Sequence, residues 1–478
     1  MNKIIYSGLL LAFCPFSLFS RTSKDKPLNV LLITADDLNY SSVGYMGCQV
    51  PEITPNLDRL ASEGVVFHNA YVNIAVSQPS RAVLATGLYS HNNGVEGFYH
   101  TDKDVKTLMS ILESRGYMTG IAGKLEHSTP VGSYHWGMQV DMPDLGQGRD
   151  PQRYYEVFNE FVKKAKSEGK PFYFMANSHD PHAPFHGSDR ERKAFPIKNF
   201  PDASRVYTAE EVEIPGFIVK TEESKIELAQ YFSSVRRLDD TVGMILKVLE
   251  EQGLEENTLV MFLSDNGMDF PFAKTNCYYN SNRTPWVVKW PNVVKPGSRD
   301  REHFIASIDF MPTVLEACGF SVPSNISVPS NIDGHSFLPV LIGKKQSDRK
   351  RVFTQFYETS AKGRFPMFAI HDADYCYIYN AWFDGEKVFK NCSWGGMTFK
   401  SMVTHADKDA YIKERLDFFK YRTREELYDV RKDPDGLTNL VDDKDKAAVL
   451  KKYRKLMEEW LIANHLLDRF DYELLVVR

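Results

Sequence analysis

Four stretches of this chain run apolar almost without a break and then end in polar residues: "LNVLLITADDLN", "GYMTGIAGKLEH", "KPFYFMANSHDPHAP" and "NTLVMFLSDNG". Continuous apolar runs bounded by turn residues suit strands buried on both faces, as in a parallel sheet covered by helices. Between these runs the apolar period changes to three and four. "TPNLDRLASEG", "DVKTLMSILESRG" and the long "ESKIELAQYFSSVRRLDDTVGMILKVLEEQG" read as helices, and in the last one Leu228, Tyr231, Val235, Leu238, Val242, Ile245 and Leu249 form a single buried stripe. Strands alternating with helices predict a doubly wound α/β fold, with a large parallel or mixed sheet sandwiched by helices. Ligands in such folds bind at the carboxyl ends of the strands, so the four polar endings are expected to converge on one site.

Past about residue 345 the pattern becomes shorter and more alternating. "RVFTQFYE", "MFAIHDADYCYIYNAW" and "EKVFKNCSW" read as antiparallel strands, and "KDKAAVLKKYRKLMEEWLIANH" as an amphipathic helix through Leu450, Tyr453, Met457 and Trp460. The expected organisation is a leader at 1–20, an α/β catalytic domain at 21–345 and a smaller C-terminal α+β subdomain at 346–478. "SVPSNISVPSNI" at 321–332 repeats six residues in tandem; with its prolines and serines it reads as an extended surface loop, because two copies are too few for a repeat fold.

Composition narrows the classes. A chain of 478 residues, 43% hydrophobic, can bury substantial cores, and a net charge of −5 argues against a broadly basic nucleic-acid binder. The start, "MNKIIYSGLLLAFCPFSLFS", has a basic Lys3, an apolar run and small residues near its end, and reads as an export signal rather than an anchor. No later run reaches spanning length, so no transmembrane segment is expected and the protein is read as exported, to the periplasm or cell surface. Cys14 would admit a lipidated N-terminus, against which Phe13 is large where such signals want a small residue. Beyond it lie Cys48, Cys277, Cys318, Cys376 and Cys392, an odd set without metal-ribbon spacing; a Cys376–Cys392 pair and buried free thiols both stay open.

"SQPSRAVLATG" at 77–87 reads locally as a helix with Ser77 as N-cap, Pro79 in the first turn and Gly87 as terminator. A helix start beside Arg81 also makes an anion site with a hydroxyl at its mouth. Asp36, Asp37, Asp265 and Asn266 form an oxygen-only set that suits calcium or magnesium better than zinc. Each alone has an ordinary explanation as cap, ion pair or turn; their common place at strand ends favours a shared site. Arg81, Lys124, His127, His182 and Lys274 surround that set with cations. Of the two histidines in "HDPH", His182 is preferred to His179 because Pro181 fixes its approach. A divalent cation, a ring of cations and a nucleophile at a helix start suit transfer of a tetrahedral oxyanion group, sulfuryl or phosphoryl.

At this point "SQPSRAVLATG" resembles the SxPSRxxxxTG signature of type I sulfatases in the alkaline phosphatase superfamily, in its serine form, and "ITADDL", "GIAGK", "DPHAP", "FLSDNG", "RTPWVVKWP" and "ELYDVRKDPDGLTNL" follow in the family's order over roughly residues 28–465. The resemblance implies that Ser77 is converted to formylglycine by a serine-type maturating enzyme and that Asp36, Asp37, Asp265 and Asn266 bind one calcium ion together with it. It implies that Arg81, Lys124 and His127 orient and activate the nucleophile, and that His182 and Lys274 hold the sulfate and assist the leaving group. Attack on sulfur would give a sulfo-enzyme, from which the second hydroxyl of the hydrated aldehyde expels sulfate. The family usually separates its lysine and histidine by one residue, whereas "GKLEH" separates Lys124 from His127 by two. "SDNGMDFPFAKTN", "SHNNGVEGF" and "FFKYRTREELYD" look most like heparan N-sulfatases, so the implied substrate is a sulfated oligosaccharide bearing N-sulfated glucosamine. An O-sulfatase on another polysaccharide, a phosphoester or phosphonate hydrolase and an unmodified glycan-binding relative are the alternatives. Asp180, Arg364 and His371 are candidate substrate contacts by position.

Overall fold

The computed structural model describes residues 26–320 and 332–469. The leader expected at 1–20 lies outside the described residues, as does the tandem at 321–332 apart from Ile332.

Eight strands form the main sheet, in the order Met138–Val140, Met118–Ala122, Phe172–Pro181, Asn29–Asp36, Thr258–Ser264, Trp286–Lys289, Val65–Phe67 and Ser298–Asp300. The first five are mutually parallel. Trp286–Lys289 runs antiparallel to both of its neighbours, so the sheet is mixed. The unbroken apolar runs are explained by two cores. Along the central strand Leu31, Ile33 and Ala35 face one core while Val30 and Leu32 face the other, as the two-residue period of a strand requires. The first core is closed by the helices Pro55–Glu63, Pro151–Ser167 and Glu222–Gln252; the second by Leu108–Ser114 and Phe310–Ala317. Leu228, Tyr231, Val235, Leu238, Val242, Ile245 and Leu249 are all buried, as the stripe predicts.

The C-terminal sheet is antiparallel throughout, in the order Arg351–Glu358, Arg364–Asp372, Tyr375–Asn380 and Glu425–Asp429. The expected strand in "EKVFKNCSW" is absent. Asp384 caps Glu386 and Lys387 into a turn, Cys392–Gly395 is a 3-10 turn, and Glu425–Asp429 takes the fourth place. Phe389 is instead buried against Phe419, at 5.6 Å between rings, so its apolar side chain serves helix packing rather than a ladder. The helix Ala447–Ala463 lies across this sheet with Trp460 stacked on Phe353 at 5.1 Å.

All five described cysteines beyond residue 26 are free thiols, Cys376 and Cys392 included.

Candidate active site

The parallel strands end together, and the pairing of the two central ones is irregular at this end. The register moves from Thr34 opposite Asn177 to Asp36 opposite Pro181, which lets the segment holding His179 and Asp180 crowd against Asp36. Asp37 follows with φ of 70°, a left-handed conformation that Asp tolerates better than most residues. Its N–H donates to Asp265 Oδ1 at 3.1 Å. Carboxylate oxygens of Asp36, Asp37 and Asp265 lie within 4.8 Å of one another, all buried.

The helix Ser77–Thr86 begins against these carboxylates. Val76, not Ser77, is its N-cap, and Ser77 is the first helical residue. The Ser77 hydroxyl is therefore not spent on a backbone amide: it lies 2.8 Å from Asp36 Oδ1 and 2.8 Å from Asp265 Oδ2. A hydroxyl has one proton and can donate to only one of them. An oxygen cluster of this kind asks for a cation.

Three buried cations ring it. Arg81 is wholly buried; its Nη1 donates to Thr34 Oγ1 at 2.8 Å and Asn177 Oδ1 at 2.6 Å, and its Nη2 to Asp265 Oδ2 at 2.9 Å. The Lys124 ammonium contacts Asp36 Oδ2, and Lys274 reaches both oxygens of Asp37 at 2.7 and 2.8 Å. Gly123 has φ of 77°, and a Cβ there would lie 2.4 Å from the Asn177 carbonyl, so only glycine lets the strand turn into Lys124. From Lys124 the chain makes one helix-like turn, Ser128 N–H to the Lys124 carbonyl at 3.0 Å. Positions three apart share a face of such a turn, which brings His127 round to the side of Lys124 despite the two-residue spacing. His127 sits edge-on to Phe98 at 5.3 Å.

Both histidines of "HDPH" enter the site. His179 Nδ1 lies 3.6 Å from Asp36 Oδ2 and His182 Nε2 3.8 Å from Asp37 Oδ2, with the rings 4.8 Å apart.

The electrostatics divide the carboxylates. Burial pushes Asp36 up, but Lys124, His182, Arg81 and His179 outweigh it and hold the carboxyl well below the usual range. Burial raises Asp37 to about 7 against the pull of Lys274, and burial with the Asp36 charge raises Asp265 to about 7. Burial and Lys124 lower His127 to about 3; burial and Lys274 lower His182 to about 3. Three carboxyls crowd together, and two of them are pushed toward neutrality despite the three cations. A divalent cation among them would offset the crowding and hold all three charged. The donor set fits one: it is all oxygen, and Asn266 Oδ1 is buried without a partner while its Nδ2 is oriented by Asp37 Oδ1 at 2.7 Å.

The three position-based candidates have other partners. Asp180 is wholly buried, with Arg149 Nη1 at 2.5 Å and Arg237 Nε at 2.7 Å, so it braces the turn rather than meeting substrate. His371 is buried in the C-terminal sheet beside Tyr71 and Thr354, which corrects its expected role. Arg364 is partly exposed but engaged by Glu96 at 3.0 Å and Glu358 at 3.7 Å. Thr34, Asn177, Arg149 and Arg237 were not singled out from sequence. Polar Thr34 and Asn177 interrupt apolar strand runs, which is the signal that marks them; the two arginines carry none.

A sulfatase family model matches residues 28–320, and the chain belongs to the sulfatase family, whose members hydrolyse sulfate esters or sulfamates. A second family model, the C-terminal part of N-sulphoglucosamine sulphohydrolase, matches residues 269–388. Human N-sulphoglucosamine sulphohydrolase is 28% identical over 477 residues, covering 95% of this chain and 94% of the relative. An ulvan-active sulfatase of Formosa agariphila is 29% identical over 448 residues, covering 93% and 82%. A solved structure of a protein in complex with its substrate D-glucosamine-2-N,6-O-disulfate superposes with a TM-score of 0.66 at 20% identity, covering 91% of this chain and 98% of that one, and shares the fold.

Proposed function

We propose that this protein removes the N-sulfate from glucosamine in heparin or heparan sulfate fragments, with Ser77 converted to formylglycine and calcium held by Asp36, Asp37, Asp265 and Asn266. The observation that carries the N-sulfate reading is the match of residues 269–388 to the C-terminal part of N-sulphoglucosamine sulphohydrolase, a span that includes Lys274. The human relative, similar along nearly the whole chain, supports it. The reading includes export through residues 1–20 and maturation by a serine-type enzyme.

When present, the formylglycine hydrate supplies a nucleophilic hydroxyl and a second one through which sulfate is later released, and calcium offsets the charge of the carboxylates around it. The chain's own groups do the rest. Arg81 holds Asp265 and, through Thr34 and Asn177, the strand ends. Lys124 and Lys274 stand on either side of the carboxylates, where they can grip sulfate oxygens and stabilise charge that builds in the transition state. His127, kept neutral by burial and Lys124, retains a lone pair with which it can accept a hydrogen bond from the nucleophile. In His182, Nδ1 donates to the Ala183 carbonyl at 2.5 Å, which leaves Nε2 to carry a proton toward the site. A bound sulfate favours its charged form, which can then protonate the departing nitrogen.

The test is free-sulfate release from N-sulfated glucosamine by protein made with a serine-type maturating enzyme, beside Ser77→Ala and a 6-O-sulfated control. Release from the N-sulfated sugar alone, lost in Ser77→Ala, is expected. Release from the O-sulfated control alone would overturn the N-sulfate reading and leave an O-sulfatase. Mass spectrometry of the Ser77 peptide, lighter by two hydrogens, checks conversion.

A further inference from the structure

A groove of about 440 Å³ opens between the segment after His182, the start of the long helix and the turn after Cys392. Its apolar lining is Phe185, Ile226 and Met397, and its cations are Arg190, Arg192, Lys193 and Lys400. Arg192 is engaged by Asp189. Arg190, Lys193 and Lys400 are exposed and make no ion pair among the described residues. Glu227, on the same wall, is buried, and both its oxygens accept backbone N–H groups, from Met397 at 2.8 Å and Thr398 at 2.7 Å. The groove is therefore cationic where it meets water.

It also borders the site. Phe185 stacks on Phe270 at 5.7 Å, and the next residue back, Asp269, accepts a hydrogen bond from Cys392 Sγ at 2.9 Å. Asp269 acts electrostatically on Lys274 and His182 on one side and on Glu227 on the other. One thin wall thus separates the sulfate-binding cations from the groove.

We infer that this groove is a second anion subsite, which takes the carboxylate or sulfate of the sugar residue next to the one being desulfated. Apolar side chains meet the C–H faces of a sugar ring, while long cations at the rim pair with its acidic groups without being buried. An ordinary surface patch would not join an apolar floor, unpaired cations and contact with the catalytic wall. The inference rests on the proposed action on a sulfated glycan.

Two substrates read it: N-sulfated glucosamine as a monosaccharide, and a heparin tetrasaccharide with N-sulfated glucosamine at its non-reducing end. The double variant Arg190→Ser, Lys400→Ser should lower kcat/KM on the tetrasaccharide by about tenfold and leave the monosaccharide within about twofold. Equal losses on both, or none on either, would overturn the subsite. Calorimetry of tetrasaccharide binding to Ser77→Ala protein, with and without the two serines, separates the groove from the chemistry. If neither sugar is turned over but binding still weakens about tenfold in the double variant, the N-sulfate reading falls and the groove stands. Binding indifferent to the two cations removes the groove.

Discussion

Asp180 lies between the two site histidines in sequence, yet its carboxylate is spent on Arg149 and Arg237, all three side chains being wholly buried. Arg149 also donates to the His182 carbonyl at 3.1 Å, so the ion pairs fix the backbone that carries the histidine. Removing one partner of a buried pair leaves an uncompensated charge, which costs more than the pair itself contributes. Asp180→Asn is expected to destabilise the fold by about 3–5 kcal/mol and to lower kcat through His182. Denaturant unfolding measures the first; a variant within about 0.5 kcal/mol of the parent would mean that Glu191, 3.4 Å from Arg237, suffices alone. From the sequence Asp180 was legible as near the site, because it follows an apolar strand run. Its direction was not, because the arginines that claim it sit on the loop before the helix Pro151–Ser167 and on the long helix.

At the scale of elements, the strand Arg364–Asp372 carries His371 into a core where its Nε2 meets Thr354 Oγ1 at 3.1 Å and its Nδ1 has no partner. Burial lowers its pKa to about 3, while an unfolded histidine takes a proton near 6.5. Between these values the unfolded chain binds the extra proton, so the stability this neutral ring allows is intact above about pH 6.5 and is lost as pH falls toward about 3, at about 1.4 kcal/mol per pH unit. Thermal melts at pH 7.5 and 5.0 should show a larger fall for the parent than for His371→Asn; equal falls would place the acid sensitivity in other groups. The main-sheet strands were readable as elements because apolar runs and turn residues act within a few positions. The strand expected near residue 388 failed because Phe389 finds its partner in Phe419, thirty residues on, and no local pattern announces that.

For the whole molecule, the C-terminal part braces the site that the main sheet builds. Asn391 Nδ2 donates to Thr275 Oγ1 at 2.7 Å, and Arg422 Nη2 to Asn276 Oδ1 at 2.8 Å, so the loop bearing Lys274 is held from beyond the main sheet. A cation bound among Asp36, Asp37 and Asp265 would tie together three chain segments and stabilise only the folded state. Chelation by EDTA is expected to lower the melting temperature, and added calcium to restore it; at a hundredfold excess over Kd such linkage amounts to about 2.7 kcal/mol. An unchanged melt, with no calcium in the purified protein by elemental analysis, would remove calcium from the reading.

The sequence by itself determined the alternating α/β order, the apolar faces of the long helices, and the polar strand endings that include Asp36, Asp37, Asp265 and the stretch at Ser77. These depend on periodicity and turn chemistry, which act over a few residues. Only the tertiary structure decided which groups meet: Arg81 with Asn177, 96 positions away, and Asp37 with Asp265, 228 positions away. It also gave the first helical position to Ser77, claimed Asp180 for buried ion pairs and His371 for the C-terminal core, and set the cationic groove beside the candidate site. Such pairings follow from strand order and register, which bring distant segments within hydrogen-bonding reach and leave no mark in the local pattern of either one.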